Sequence, residues 1–368
     1  MAENKKTRMA NFELLRCIAM MKVVGIHFVG KGGFLPDFTA DSISVQGYVA
    51  TALECSFIVC INLYMLISGY FLVESQFSLK KVWNTWLQVM FYSVGIGVIA
   101  YLIGYVPKEG WNIYMLGRLV FPISKNHYWF MTAYLYMYLF FPLLAAGVKR
   151  LTKKQFQTVL GAILFAFCIV KSVLPLNLET DGQGYNMIWY LCVFLLAAYI
   201  RLYGIPFFQN KTRGFLVYYG GLLGIFLTTM VIRFVYLKTG ILTVASNVAF
   251  HYNHFFVLLA AVGLFYAFSK IDIKPGKFAD FICKVSPYTL GVYLIHCHTC
   301  VEDEWPGWIF RVFGRPDSVT GFLGELIIAI LGMFVLGVAV DFVRQKLFVL
   351  IGRGANIIFR GRKNEAAN

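Results

Sequence analysis

Two ionisable side chains on one apolar segment have the clearest capacity for chemistry. Residues 11–30 read NFELLRCIAMMKVVGIHFVG and contain Arg16 and His27, eleven positions apart. At ~100° per residue, that spacing is three turns plus roughly 20°, so a helix presents both side chains on one face, about 16 Å apart along its axis. Glu13 lies three residues before Arg16, where its carboxylate could hold the guanidinium.

The two groups offer anion binding and proton transfer. A guanidinium binds phosphate through two parallel N–H groups. An imidazole can remove a hydroxyl proton near neutral pH or accept an acyl group. The alternative is that Arg16 extends to the lipid headgroups and His27 is a satisfied polar residue near the far interface. Because ionised groups are costly in hydrocarbon, we favour a functional pair that faces the bundle interior.

The composition is that of a helical membrane protein. The chain is 59% hydrophobic and 14% charged over 368 residues, which is too apolar for one soluble core. The net charge of +15 does not indicate a nucleic-acid partner, because the basic residues fall between apolar segments. The eight cysteines lack the paired spacing of a disulfide framework or zinc site. His251 and His254 are three residues apart with no carboxylate in their span, so they do not indicate a metal site either. We therefore expect no metal and no bound cofactor.

The apolar pattern predicts an all-α polytopic fold with ten membrane spans in a single domain. Each span is near the ~20 residues that a crossing helix needs. Basic residues such as Lys80, Lys81 and Arg150 fall between alternate spans, so the positive-inside rule places both termini in the cytoplasm of a multi-pass cell-membrane protein. The predicted spans are 12–30, 47–73, 82–106, 127–147, 155–175, 186–203, 214–236, 251–269, 285–301 and 320–343.

This topology suits an acyl-coenzyme A donor, which only the cytoplasm supplies. Arg16 would lie at the cytoplasmic end of the first span and could bind the phosphate-bearing end of the donor, while His27, about 16 Å deeper, could meet the thioester. Lys80 and Lys81 could add positive charge for donor binding, although lysines there are also ordinary topology signals.

Several other polar residues are weaker candidates. His296 lies near the acidic run Glu302 to Glu304 and could line an outer acceptor cleft or sit at the interface. His127 is expected to support the packing of Trp129, although a role in the site is open. Three carboxylates within or near spans could pair with an arginine, and Glu325 is the one placed deepest in the last helix. They are Glu54, Glu325 and Asp341.

Four stretches resemble acyltransferase family three, integral-membrane enzymes that O-acylate cell-surface glycans. ELLRCIAMMKVVGIH, with Arg16 and His27, resembles the family's first-helix signature. NLYMLISGYFL resembles its second-helix ending, with Ser68, Gly69 and Tyr70 in the Ser-Gly-aromatic turn. The other two stretches are His127 to Phe130 followed by Phe141-Pro142, which resemble its Trp-Phe helix, and SPYTLGVYLIH, which ends at His296.

The resemblance implies a ten-helix membrane fold and transfer of an acyl group, usually acetyl, from cytoplasmic acyl-coenzyme A to a hydroxyl of a surface polysaccharide or its lipid-linked precursor. It also implies importance for Arg16 and His27. Where many members carry arginines after the second helix, this chain has Lys80 and Lys81, which are point charges. Some members carry an esterase-like domain after the last span, and this sequence is expected to be the stand-alone form.

Two other function classes also fit the sequence. An ionised pair inside a bundle also fits the substrate path of a glycan or small-solute transporter or flippase. A sensor or scaffold module is the third possibility. Within the enzyme class, the residues leave open whether the acyl group is acetyl or succinyl, and whether it is carried on His27 or transferred directly.

Overall fold

The protein is a bundle of α-helices. The computed structural model describes residues 8–107, 110–125, 127–174, 182–241 and 247–365, with side chains up to residue 352, and these residues contain no β-strand. The helices are α1 (Ala10–Lys31), α2 (Val45–Phe57), α3 (Cys60–Leu72), α4 (Leu79–Leu102), α5 (Ile113–Val120), α6 (Trp129–Arg150), α7 (Lys153–Leu164), α8 (Val170–Val173), α9 (Met187–Tyr203), α10 (Lys211–Thr239), α11 (Phe255–Ser269), α12 (Lys277–Val285), α13 (Thr289–His296), α14 (Trp305–Phe313) and α15 (Val319–Glu365).

Seven helical segments of the described residues are long and apolar enough to cross a membrane. The prediction of an all-α membrane protein is thereby confirmed, while the count of ten spans and the cytoplasmic termini stay predictions. The predicted span 285–301 contains a 3₁₀ turn, Ser286–Tyr288, followed by the short helix α13. The seven segments are Val45–Leu72, Leu79–Leu102, Trp129–Arg150, Lys153–Val173, Lys211–Thr239, Val248–Ser269 and Val319–Gly352.

Helix α1 lies at the centre of the bundle. It packs against α2, α3, α11, α12, α13 and α15. Apolar residues along its length, such as Leu15, Val24 and Phe28, have no exposed surface. Because neighbours surround α1, its polar side chains before the exposed last residue, Lys31, face protein and cavities inside the bundle.

One basic residue of α1 is fully occupied by structural contacts. The Lys22 ammonium donates to the carbonyl and the hydroxyl of Ser56 at 2.9 and 2.8 Å, and to the hydroxyl of Tyr218 at 3.0 Å. Since an ammonium has three N–H donors, each of them has a partner. Lys22 therefore joins α1, α2 and α10 and has no donor left for a ligand.

The residues of the Ser-Gly-aromatic turn in α3 have different roles, and two of them, Gly69 and Tyr70, pack against α9. A Cβ on Gly69 would lie 2.8 Å from the Cβ of Ala197 and 3.1 Å from the Cα of Phe194, so glycine permits the close approach of α3 and α9. The Tyr70 ring stacks under the guanidinium of Arg201, 4.8 Å from its centroid. Gly69 and Tyr70 therefore hold the bundle together.

Candidate active site

The first cavity of interest lies beside the N-terminal half of α1, among α1, α3, α4, α6 and α13. It encloses about 240 Å³ and is lined by residues that include Arg16, Met20, Val23, Ser68 and Tyr134. We name it the Arg16 cavity. Arg16, Met20 and Val23 recur at helical spacing on one face, so the cavity follows α1 for two turns from Arg16 towards His27.

Arg16 is held in this cavity by a buried carboxylate. Its Nη1 donates to both oxygens of Glu13, at 2.9 and 3.1 Å. Glu13 also accepts a hydrogen bond from the Ser286 hydroxyl and lies 3.8 Å from Arg8. The Arg16 side chain is 30% exposed, and its Nε and Nη2 have no partner among the residues that the structure describes. The guanidinium is thus fixed in orientation with donors available for an anion.

Lys81 lies next to the Arg16 cavity, whereas Lys80 does not. A second pocket of about 250 Å³ is lined by Lys81, and Thr85 and Tyr134 line both this pocket and the Arg16 cavity. Lys80 is exposed and lines neither. Of the two lysines predicted to bind the donor, only Lys81 is placed where it could do so together with Arg16.

The second feature is a pair of histidines from α1 and α13. The His296 Nδ1 lies 2.6 Å from the carbonyl oxygen of Val292, and the His296 Nε2 lies 3.0 Å from the His27 Nδ1. A carbonyl only accepts, so in the neutral ring His296 Nδ1 carries the proton and Nε2 accepts. The His27 Nδ1 is then the donor to His296, which leaves the His27 Nε2 unprotonated. His27 has the arrangement of a general base that a second residue orients.

Cys297 completes a small cluster around the same nitrogen. Its Sγ lies 3.3 Å from the His27 Nδ1, and one ligand atom each from His27, His296 and Cys297 lie within 4.8 Å of one another. Two imidazoles and a thiolate could hold a thiophilic ion such as Zn²⁺. Such an ion would displace the proton between the rings and leave the proton of His27 on Nε2, which would remove the base.

His27 also lines a separate cavity, distinct from the Arg16 cavity and from the Lys81 pocket. It is about 190 Å³ in volume, and we name it the His27 cavity. Glu54 of α2 shares it, as do Trp129, Tyr185 and Tyr252. The three aromatic rings contact one another, with centroids 4.5 to 5.7 Å apart. The His27 Nε2 has no hydrogen-bond partner in the described part of the chain. Its lone pair is therefore available to a molecule bound in this cavity.

The acidic run that follows α13 is occupied by structural contacts. Asp303 forms an ion pair with Lys31, the last residue of α1. Burial raises the pKa of the Glu302 carboxyl, while the Lys31 ammonium lowers it. The Trp305 ring lies against the His296 ring, with centroids 6.0 Å apart. These contacts pack the end of α13 against α1 and support the position of His296.

His127 belongs to a separate polar network. Its Nε2 accepts from the backbone N–H of Thr299 at 3.0 Å, so its Nδ1–H donates to the Ser93 hydroxyl at 3.1 Å. That hydroxyl donates in turn to the carbonyl of Leu119. Trp129 lies in the His27 cavity, but His127 lines neither named cavity. Both ring nitrogens of His127 are thus engaged in structural hydrogen bonds.

The three candidate carboxylates do not behave alike. Asp341 forms an ion pair with Arg344, at 2.6 Å to the guanidinium Nε. Neither Glu54 nor Glu325 has an ion-pair partner among the described residues. Glu325 is buried in α15 and lines neither cavity. Only Glu54 shares a cavity with His27.

Sequence reasoning missed part of the site. Tyr185 lies just before α9 and Tyr252 just before α11, in distant parts of the chain, and neither is part of a pattern that links it to His27. Cys297 has no motif of its own among the eight cysteines of the sequence. Its position directly after His296 was the one signal that could have identified it.

With the geometry described, comparison with known proteins decides the family. A family model described as an acyltransferase domain, that of acyltransferase family three, matches residues 9–342. The chain belongs to acyltransferase family three. This family member is accordingly a membrane acyltransferase. No curated protein and no solved structure gave a significant match to the chain.

Proposed function

We propose that this acyltransferase moves a short acyl group, acetyl in the usual case, from cytoplasmic acyl-coenzyme A to a hydroxyl of a cell-surface polysaccharide or its lipid-linked precursor. The proposal rests on the hydrogen bonding of the His27 ring. Its Nδ1 is fixed by His296 at 3.0 Å, while its ring lines a cavity with Nε2 free. A free, oriented imidazole nitrogen in a cavity is what removal of a hydroxyl proton requires.

In the proposed reaction, His27 moves one proton from the acceptor hydroxyl to the leaving thiolate. The His27 Nε2 takes the proton of the acceptor hydroxyl, and the oxygen attacks the thioester carbonyl carbon. The C–O bond forms, the C–S bond breaks, and the coenzyme A thiolate leaves and takes the proton from His27. If His27 instead accepts the acyl group first, the same Nε2 attacks the thioester carbonyl carbon, the C–S bond breaks and the coenzyme A thiolate leaves. The acceptor oxygen then attacks the acyl-imidazole, the N–C bond breaks to free Nε2, and the acceptor proton ends on the thiolate.

The Arg16 cavity is the proposed donor site. Arg16 has free N–H donors, and Lys81 lines the adjoining pocket, so both could bind donor phosphate oxygens. The cavity runs along α1 as far as Val23, four residues before His27, which is about 6 Å of helix rise. A donor anchored near Arg16 would extend its arm along this face towards His27. Under the predicted topology the Arg16 end opens to the cytoplasm.

The test is acetyl-coenzyme A binding to the purified protein in detergent, measured by titration calorimetry. We expect saturable binding that is weakened about 10- to 100-fold in Arg16→Ala, because a charge-assisted hydrogen bond is lost. Arg201→Ala is the matched control, since Arg201 pairs with Glu74 and lines neither named cavity. Ser68→Trp is a second variant, which fills the Arg16 cavity without disturbing the Arg16–Glu13 ion pair.

Each outcome bears on the proposal. Weaker binding in Arg16→Ala and Ser68→Trp, but not in Arg201→Ala, supports the donor site. Equal binding by all variants would place the donor elsewhere. No binding by the folded wild-type protein would contradict acyl-coenzyme A as the donor.

A further inference from the structure

Glu54 has a buried carboxyl with no partner among the residues that the structure describes. Its residue is 7% exposed, and its Oε2 has no hydrogen bond in the described part of the protein. Two other buried carboxyls, Glu13 and Asp341, each have a guanidinium partner. Removing a carboxylate from water without compensation costs several kcal/mol, so an unpartnered carboxyl that also lines a cavity, as Glu54 does, is a candidate for ligand binding.

The surroundings of Glu54 point to a ligand with hydroxyl groups and an apolar face. The His27 ring and the Glu54 carboxyl line the same cavity. The wall of this cavity contains Trp129, Tyr185 and Tyr252, and Tyr185 is 42% exposed at its rim. Aromatic rings present flat apolar surfaces on which the C–H face of a sugar ring can stack.

The aromatic wall is held rigidly. The backbone carbonyl of Tyr252 accepts from the Asn62 amide at 2.8 Å, and the Asn62 side-chain oxygen accepts from the Trp189 indole at 2.9 Å. The Tyr252 backbone N–H donates to the carbonyl of Gln183 at 3.1 Å. These bonds link α3, α9 and the segments that carry Tyr185 and Tyr252, so the cavity is preformed.

We propose that Glu54 binds a second hydroxyl of the acceptor, next to the hydroxyl that His27 deprotonates. The acceptor is then a sugar ring with two neighbouring free hydroxyls, one directed to the His27 Nε2 and one donating to the Glu54 carboxyl, with its apolar face against the aromatic wall. Glu54 therefore sets which hydroxyl is acylated. The inference rests on the proposed function and adds the acceptor geometry to it.

The deciding variants are Glu54→Leu and Glu54→Gln, with Glu325→Leu as the matched control. Glu325 is also 7% exposed with an unpartnered Oε2, but it lies outside the His27 cavity. Three quantities are measured in each variant: short acids released by base from the isolated surface polysaccharide, acetyl-coenzyme A binding in detergent, and the midpoint of thermal denaturation.

For Glu54→Leu we expect at least a 10-fold loss of polysaccharide acylation, unchanged acetyl-coenzyme A binding and an unchanged or higher denaturation midpoint, since an unpaired buried carboxyl has been removed. Glu54→Gln keeps one carbonyl acceptor, so it should retain part of the acylation. Glu325→Leu should acylate normally.

Two results would overturn the inference. One is acylation by Glu54→Leu within 2-fold of wild type. The other is a lower denaturation midpoint with weaker acetyl-coenzyme A binding, which would make Glu54 a structural residue. His27→Ala is assayed in parallel, because acylation that persists there overturns the proposed function itself and not only the role of Glu54.

Discussion

Two histidine pairs, one formed by His27 and His296 and the other by His127 and His298, differ in their hydrogen bonding. In the first pair, His27 and His296 are joined by a 3.0 Å hydrogen bond, and the His27 Nε2 stays free at a cavity. In the second pair, His127 and His298 pack with ring centroids 4.8 Å apart, and both nitrogens of each ring have a partner. His298 accepts from the Cys300 N–H and donates to the Ser93 carbonyl, each at 3.0 Å.

The difference teaches that burial and residue type do not identify a catalytic histidine. All four rings are buried or nearly so, the first pair on helices α1 and α13 and the second pair in turns next to α6 and α13. The pairs differ in which ring nitrogens have hydrogen-bond partners. One nitrogen lone pair is free in the first pair, and none is free in the second. The carboxyls divide in the same way, because in the described part of the chain Asp341 has an ion-pair partner and Glu54 has none.

The largest expected effect is that of His27→Ala. Loss of a general base lowers the rate of acyl transfer by about 1,000-fold, and loss of an acyl-accepting nitrogen has a similar result. The measurement is base-released acyl groups on the surface polysaccharide, normalised to the amount of protein in the membrane. His27→Ala should accumulate normally. Acylation above one tenth of the wild-type level would remove His27 from the mechanism.

His296→Ala tests the orienting half of the first pair. Without the Nε2 acceptor, the His27 ring is free to take the tautomer with its proton on Nε2, and we expect a rate loss of about 100-fold, mainly in kcat. His296→Gln offers a carbonyl oxygen to the His27 Nδ1–H and should recover part of the rate. Equal activity of His296→Ala and wild type in a single-turnover assay would show that the pair does not act as a unit.

His127→Ala tests the second pair, and its effect should be on stability. The variant leaves the Thr299 N–H and the Ser93 hydroxyl without their present partner, which costs about 1–3 kcal/mol. We expect a lower midpoint of thermal denaturation in detergent. Acylation per folded molecule should stay within about 3-fold of wild type, because no reacting group is removed. A loss as large as that of His27→Ala would erase the distinction between the two pairs.

The parts of the site that depend on local spacing could be predicted from the sequence. The 3.6-residue period places Arg16, Met20 and Val23 on one face of α1, and Glu13 is one turn from Arg16. The all-helical membrane fold and the family also followed from apolar segments and motifs, and both are confirmed. The number of crossings and the side of the termini stay predictions.

The rest of the site depends on contacts between distant segments. His296 is 269 positions from His27, and nothing in the sequence says that the two rings meet. Glu54, Glu325 and Asp341 look alike as carboxylates in apolar helices, and only packing shows which of them faces the His27 cavity. The motif around Ser68 mixed a cavity residue with two packing residues for the same reason, since α9 lies against Gly69 and Tyr70.

The most direct test is the protonation of the His27 ring. The measurement is solid-state nuclear magnetic resonance of the protein labelled with ¹⁵N-histidine in lipid bilayers near neutral pH, with His27 assigned by difference from His27→Ala. Hydrogen bonding to His296 predicts a neutral His27 ring with its proton on Nδ1 and an unprotonated Nε2. A proton on Nε2, or a doubly protonated ring, would contradict the account, because the atom at the cavity would then be unable to act as a base or to accept an acyl group.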